Sequence, residues 1–255
     1  MNWKSGKKIF TALCMLILFT ACGSNSTGGD STPGGSRLPV EGACANEFFP
    51  AVQGAAWTYE SKGSPAGNYT FTDTISAVRS DGFTLTSKYG NDLRPEDWSC
   101  TEAGLVALRL GGPATTTLKS QDMNFEFQFK NVQGLSIPVQ INPGDVWTKS
   151  LEFDGKMEIA GEPASAAGNS QAEYKAIGIE EVRVPAGTFQ ALKVQSENNI
   201  VFTIQVQGIS VPVSFSGTYD YWFAKGVGWV KAEGKGNVTG ISFTETIELQ
   251  SYKIP

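Results

Sequence analysis

Between Ile200 and Phe215, apolar and polar residues alternate on both sides of Gln207-Gly208. A two-residue turn at that dipeptide sets Val206 opposite Ile209, Ile204 opposite Val211, Phe202 opposite Val213 and Ile200 opposite Phe215. All four pairs then share one face. A slip of one residue would move them to the other face, so the pattern specifies its own register. Pro212 has no amide hydrogen to give to a ladder and places that part of the hairpin at a sheet edge. A second hairpin is predicted from residues 181–184 to 189–194, turning through Pro185-Ala186-Gly187, where Pro presets one dihedral and Gly permits a positive one. Runs of β-branched and aromatic residues at 56–59, 69–78, 83–87 and 105–108 are bounded by clusters of Gly, Pro, Asn and Asp. Such spacing predicts an all-β fold of antiparallel sheets, arranged as a β-sandwich or a curved half-barrel.

Two further stretches carry weaker patterns. Residues 125–141 are read as a third hairpin, with Phe129 opposite Ile137, Phe127 opposite Val139 and Phe125 opposite Ile141 around a longer loop or bulge. Residues 160–171 contain helix formers, but two Gly and one Pro predict a loop. An internal duplication is also expected. Gly54-Ala55-Ala56-Trp57-Thr58 resembles Gly144-Asp145-Val146-Trp147-Thr148, and Trp98, Gly104 and Val106 match Trp222, Gly228 and Val230 at the same spacing. The repeat units would be 48–112 and 135–255 within one domain, 44–255.

The first 21 residues change the picture by setting the compartment. Lys4, Lys7 and Lys8 precede a mostly apolar run from Ile9 to Ala21. A helix of that length spans about 20 Å, short of the roughly 30 Å hydrocarbon core, so the segment predicts an export signal. Phe19-Thr20-Ala21-Cys22 resembles the lipobox of bacterial lipoproteins, with Phe19 standing where Leu is usual. The resemblance implies that Cys22 becomes the lipidated first residue of the mature chain. With Gly23 rather than Asp after the cysteine, an outer-membrane location follows if the source has two membranes. Residues 23–43 are rich in Gly, Ser and Pro and predict a flexible tether of about 25 Å.

Three of the 20 Lys and Arg and none of the 25 Asp and Glu fall in residues 1–21, so the remainder carries a net charge of −8. That balance argues against nucleic acid as a partner and against a polybasic membrane patch. Membrane attachment is left to the lipid, and stable anchoring takes more than one acyl chain. Cys44 and Cys100 remain as an even pair in an oxidising compartment and predict a disulfide. It closes a loop of about 57 residues and contributes about 4 kcal/mol in the chain-entropy account.

Phe48-Phe49-Pro50 followed by Gly54 and Trp57-Thr58-Tyr59, then Val184-Pro185-Ala186-Gly187-Thr188-Phe189, then Tyr221-Trp222-Phe223-Ala224 and Gly226-Val227-Gly228 resemble uncharacterised bacterial envelope lipoproteins over most of residues 48–255. These motifs are turns and core aromatics, and the resemblance brings no catalytic residues with it. A looser likeness is to curved-sheet lipoprotein carriers of the LolA and LppX-like kind.

The absence of histidine removes the commonest general base and metal ligand. Two isolated cysteines make a poor zinc site, and no metal or cofactor is expected. Gly226-Val227-Gly228 leads into strand residues rather than a helix N-terminus, so it is no phosphate loop. Asp92, Glu96 and Asp97 read as a solvated loop, and Glu180 and Glu181 point to opposite faces of a strand. An enzyme is therefore not expected. Trp57, Trp147, Trp222, Phe125, Phe127, Phe129 and Phe202 are the candidates to face an apolar ligand such as an acyl chain. The expected function is a non-catalytic, lipid-anchored envelope lipoprotein that binds an apolar ligand or another envelope component. The alternative is a structural or interaction module whose aromatic residues simply fill its core.

Overall fold

Alternation of apolar and polar side chains carries most of the chain into strands. The computed structural model describes residues 42, 44–65, 67–109, 125–159 and 161–255, all within the compact unit Ser36–Pro255. Along the chain these are β1 (Ala56–Lys62), β2 (Tyr69–Arg79), β3 (Gly82–Tyr89), β4 (Asp92–Thr101), β5 (Gly104–Ala107), β6 (Phe125–Gly134) and β7 (Ile137–Pro138). They continue as β8 (Val146–Ile159), β9 (Glu162–Val184), β10 (Gly187–Val206), β11 (Ile209–Ala224), β12 (Gly228–Val238) and β13 (Ile241–Lys253). All join one antiparallel sheet in the order β6-β8-β9-β10-β11-β12-β13-β1-β2-β3-β4-β5-β7. The sheet curls strongly into a half-barrel, which decides between the two all-β architectures expected.

The curl brings the two sheet edges together. β6 and β7 stand at opposite ends of the strand order, yet only Leu135 and Ser136 separate them in the chain. The Leu135 amide donates to Thr148 O on β8 (3.1 Å), and the Ser136 amide donates to Leu105 O on β5 (2.9 Å). Gly134 allows the crossing: its φ is +76°, and a Cβ there would sit 2.0 Å from Thr148 O. The 125–141 hairpin is thereby corrected. Phe129 pairs with Phe153 and Phe127 with Gly155 on β8, while Ile137 pairs with Leu105 on β5. The chain passes from one edge to the other instead of folding back.

The β10–β11 hairpin has the register its alternation specifies, from Val206 opposite Ile209 to Ile200 opposite Phe215. Gln207 and Gly208 both have positive φ, 50° and 78°, the combination that a twisted two-residue hairpin turn requires. Pairing of β11 with β12 begins at Phe215, so Pro212 lies where β11 has only β10 as a neighbour. The β9–β10 hairpin likewise sets Val184 opposite Gly187 and Val182 opposite Phe189.

Two loop expectations are corrected. Residues 162–171 form the first part of β9, paired with β8 and, from Ala164, with β10. Their small side chains are a packing requirement: Ala164, Ala166, Gly168 and Ser170 alternate beneath Phe153 and Phe202 of the flanking strands. A Cβ on Gly168 would meet Val201 O at 2.2 Å and Phe202 Cβ at 2.4 Å. Asp92, Glu96 and Asp97 are not in a loop but on β4. There Pro95 faces Thr86 of β3, and β5 joins β4 only from Trp98 onward, so the proline costs no ladder bond on that edge.

Of the stretches compared as repeats, the turns entering β1 and β8 are alike, whereas Trp98 lines the inner face and Trp222 the outer. β1–β5 and β8–β12 follow the same succession, and their entry turns share one hydrogen-bond scheme. Gly54 N donates to Ile75 O and Ile75 N to Ala55 O; Gly144 N donates to Ala176 O and Ala176 N to Asp145 O. A bulge follows each, at Ser76 and at Ile177.

Two apolar clusters line the inner face. One surrounds Trp57, Tyr59, Phe83, Trp98, Leu192 and Leu249; the other surrounds Leu151, Phe153, Ile200, Phe202, Phe215 and Tyr219. Between them in register lie buried Lys149, Ser196, Asn198 and Glu245. The segment before β1 plugs the first cluster with Phe48 and Phe49. The Cys44–Cys100 disulfide, with Cα atoms 4.9 Å apart, fastens that segment to β4. The Asn46 side-chain amide donates to Pro138 O (2.8 Å) and the Gly226 amide to Glu47 O (2.7 Å).

Candidate functional site

Period-2 alternation sends every second side chain inward, and four strands place an ionisable residue at an inward position. Asp73 follows Phe71 and precedes Ile75 on β2; Glu96 precedes Trp98 on β4; Lys149 lies between Trp147 and Leu151 on β8; Glu245 precedes Ile247 on β13. Three of them, Asp73, Glu96 and Lys149, border one partly enclosed cavity of about 120 Å³, together with Arg109 just after β5. The apolar wall is aromatic: Phe49, Phe71, Trp98, Trp147, Tyr174, Tyr221, Phe223 and Trp229 all contribute. Register explains several of the contacts. Trp147 and Tyr174 are direct partners across β8 and β9, and their rings stack at 5.3 Å. Phe49 closes one side, stacked on Trp98 at 5.1 Å.

The charged groups are individually accounted for. Asp73 sits opposite Ser87 on β3, whose hydroxyl donates to its carboxylate at 2.5 Å. Burial pushes the Asp73 carboxyl up to about 7, against the lowering effect of that hydrogen bond. Glu96 is held by the Arg109 guanidinium at 2.8 Å, and Arg109 also lies over the Trp98 ring. Lys149 reaches across the curl from β8, and its ammonium donates to Ala107 O and Arg109 O at the end of β5. Burial, with the nearby Arg109 charge, lowers Lys149 to about 7. Lys149 therefore has a structural duty, bridging β8 to β5, as well as a place at the cavity.

Two donors at the cavity are left over. Trp98 Nε1 and Trp147 Nε1 are buried with no hydrogen-bond partner among the described residues. An orphaned buried donor costs about 1–3 kcal/mol, so two at one cavity need an explanation. By contrast, Trp57 Nε1 donates to Val227 O at 2.6 Å. A larger groove of about 1170 Å³ crosses β8 to β13 on the exposed face, lined by Thr148, Gln171, Glu197, Ser216, Lys235 and Thr244 among others. It is open, and neither unpartnered indole belongs to it. The small, partly enclosed cavity is the better candidate site.

The aromatic residues singled out from the sequence divide. Trp147 borders the cavity. Trp57 is buried in the core under Phe49. Trp222 alternates with the cavity residues Tyr221 and Phe223 and so takes the opposite face. There its Nε1 donates to Glu180 (2.6 Å), and Lys193 and Lys231 lie 4.9 and 5.2 Å from its ring. Phe202 and Phe129 belong to the second cluster. The side chains of Phe125 and Phe127, and all of Cys22, lie outside the described residues. Sequence reasoning missed Asp73, Arg109 and Lys149, and read Glu96 as a surface acid. For Asp73 and Lys149 the signal was present: a charge at an inward position of an alternating strand.

Chemically, Asp73 and Lys149 can each take up or give a proton near neutral pH, whereas Glu96 is neutralised by Arg109.

Fold and cavity together define a single curled β-sheet enclosing a small aromatic cavity with buried charges. The DUF3108-like family profile matches residues 108–242, more than half of the chain, and the protein belongs to that family. No curated protein matches it. Among solved structures it is similar to a protein of Bacteroides fragilis described as exported and YmcC-like in fold: TM-score 0.48, 14% identity, 82% of this chain and 100% of that one. It is also similar to a protein of Parabacteroides distasonis described as a lipoprotein: TM-score 0.44, 14% identity, 82% and 99% coverage. A third is the hypothetical lipoprotein YmcC of Escherichia coli: TM-score 0.35, 9% identity, 82% and 87% coverage.

Proposed function

We propose that this is an exported, lipid-anchored, non-catalytic protein of the bacterial envelope whose half-barrel holds one small ligand in the cavity closed by Phe49. The cavity carries the reading, because it combines an aromatic wall with buried charges and two indole donors without a partner among the described residues. A core that served packing alone gains nothing from orphaned polar groups. The volume limits the ligand. A cavity of about 150 Å³ accommodates a benzene ring, and a membrane-length acyl chain is several times larger. At about 120 Å³ this cavity is smaller than the benzene-sized one, so the ligand is short-chained, with a body smaller than a benzene ring, which narrows the expectation of an apolar ligand. Anchoring rests on Lys4, Lys7, Lys8, the apolar run and Cys22, and the acidic remainder argues against a polybasic membrane patch.

Native mass spectrometry of the full-length protein, released in mild detergent from its own membranes, tests this reading. The expected spectrum shows lipidated chain carrying one additional small organic species that is lost on unfolding. Lipidated chain alone in every preparation would instead favour the interaction-module alternative.

A further inference from the structure

Resting on that binding function, the chemistry of the ligand can be narrowed. Among the described residues, the unpaired polar atoms at the cavity are all donors. Neither Trp98 Nε1 nor Trp147 Nε1 has an acceptor there for its N–H, and Trp98 itself is only 4% exposed. Lys149 has three N–H groups and donates two, to Ala107 O and Arg109 O. Three donors around one partly enclosed space call for a ligand that accepts and does not donate. The charges point the same way. Glu96 neutralises Arg109, and burial favours the protonated form of Asp73, which makes Lys149 the one cavity charge that no described carboxylate neutralises. One positive charge and three donors match a monoanion with two oxygens. A phosphate monoester would bring a second negative charge with no partner.

We propose that the cavity binds a short-chain organic carboxylate, its two oxygens accepting from Trp98 Nε1, Trp147 Nε1 and Lys149 Nζ, and its short apolar body packed against Phe49, Phe71 and Trp229. The three donors are contributed by strands β4 and β8, which are far apart in the sheet order and meet only because the sheet curls on itself. The site therefore forms only in the closed half-barrel. It also gives an acceptor to the third N–H of Lys149, whose other two tie β8 to the end of β5.

The test is calorimetric titration of the full-length protein in detergent with propionate and with propionamide, which has the same body but no charge. Propionate should bind at least about tenfold more tightly, the difference expected when a hydrogen bond gains a charged partner. Trp147→Phe, which keeps the ring stack on Tyr174 and removes only the N–H, should weaken propionate about fivefold or more and propionamide by less. Lys149→Met should abolish the preference for propionate, with circular dichroism to confirm folding. If Lys149→Met fails to fold, the Trp147→Phe result decides. Equal affinity for the two probes would overturn the carboxylate assignment while leaving a small-ligand site in place, with water serving the indoles in the free protein. Failure of both probes to bind would overturn the assignment and the binding function together.

Discussion

Asp73→Asn tests the electrostatics of the cavity without changing its shape. In the folded protein burial raises the Asp73 carboxyl from 3.8 to about 7. Between those values the folded state holds a proton that the unfolded chain releases, so stability falls as pH rises from about 4 to about 7. Each pH unit across that interval corresponds to about 1.4 kcal/mol, so the whole interval amounts to about 4 kcal/mol. Lys149 acts in the opposite sense over a different range. Its folded value is about 7, against 10.5 for a lysine in water, so between them the unfolded chain holds the extra proton and stability recovers as pH rises. These two groups alone would make the protein least stable near neutral pH. Glu245, also raised chiefly by burial against hydrogen bonds from Ser61 and Tyr69, steepens the acid limb. Asparagine keeps an acceptor for the Ser87 hydroxyl and cannot ionise. Asp73→Asn should therefore flatten the limb between pH 4 and 7 and, at pH 7, exceed the wild type by up to about 4 kcal/mol. Urea unfolding followed by tryptophan fluorescence at half-unit steps from pH 4.5 to 9 measures both curves. Parallel curves for wild type and variant would refute the burial of Asp73 as an acid.

Gly168→Ala should cost at least about 1–3 kcal/mol, because the new Cβ meets Val201 O and Phe202 at well under contact distance. Gly178→Ala, with nothing within 4 Å of its Cβ, should stay within about 0.5 kcal/mol in the same urea assay. Cys100→Ser should cost about 2–5 kcal/mol and free the segment that carries Phe49. Faster amide exchange over residues 45–52 would register that release, and unchanged exchange would mean the plug is held without the bridge. Cys22→Ala should move the protein from the membrane to the soluble fraction. Mass spectrometry showing an unmodified Cys22 in the wild type would reject the anchor.

The hairpin from Ile200 to Phe215 could be read residue by residue because three local signals agree. Alternation sets the face, Gln207-Gly208 sets the turn, and Pro212 marks the open edge. Other strands were hidden where a side chain was chosen for its neighbour rather than for its own propensity. Gly168 and the alanines around it look like a loop in sequence. They are strand residues because Phe153 and Phe202 occupy the space their side chains would need. Asp92, Glu96 and Asp97 look like a surface loop and lie on β4, where β3 alone supplies the ladder up to Pro95 and β5 joins from Trp98. The failed pairing of residues 125–141 has a different origin. Nothing local says that Gly134 lies against Thr148 O on β8, because that contact exists only once the whole sheet has curled.

The site was less legible than the fold for a related reason. Aromatic residues are conspicuous in a sequence, and they draw the eye as ligand-facing groups. Trp222, however, belongs to the opposite face through simple alternation with Tyr221 and Phe223, and Trp57 already has an acceptor in Val227 O. The residues that distinguish the cavity are the charges at inward positions, Asp73 between Phe71 and Ile75 and Lys149 between Trp147 and Leu151. Period 2 marks them individually. Only the curl of the sheet brings β2, β4, the end of β5 and β8 to one place.

The central claim is that the cavity bounded by Phe49, Trp98 and Trp147 is a binding site. A crystal structure of the protein extracted from its own membranes tests it most directly. The expected result is a discrete organic molecule in that cavity, with an acceptor atom within hydrogen-bond distance of both Trp98 Nε1 and Trp147 Nε1. A cavity holding only water, or closed by rearranged side chains, would contradict it.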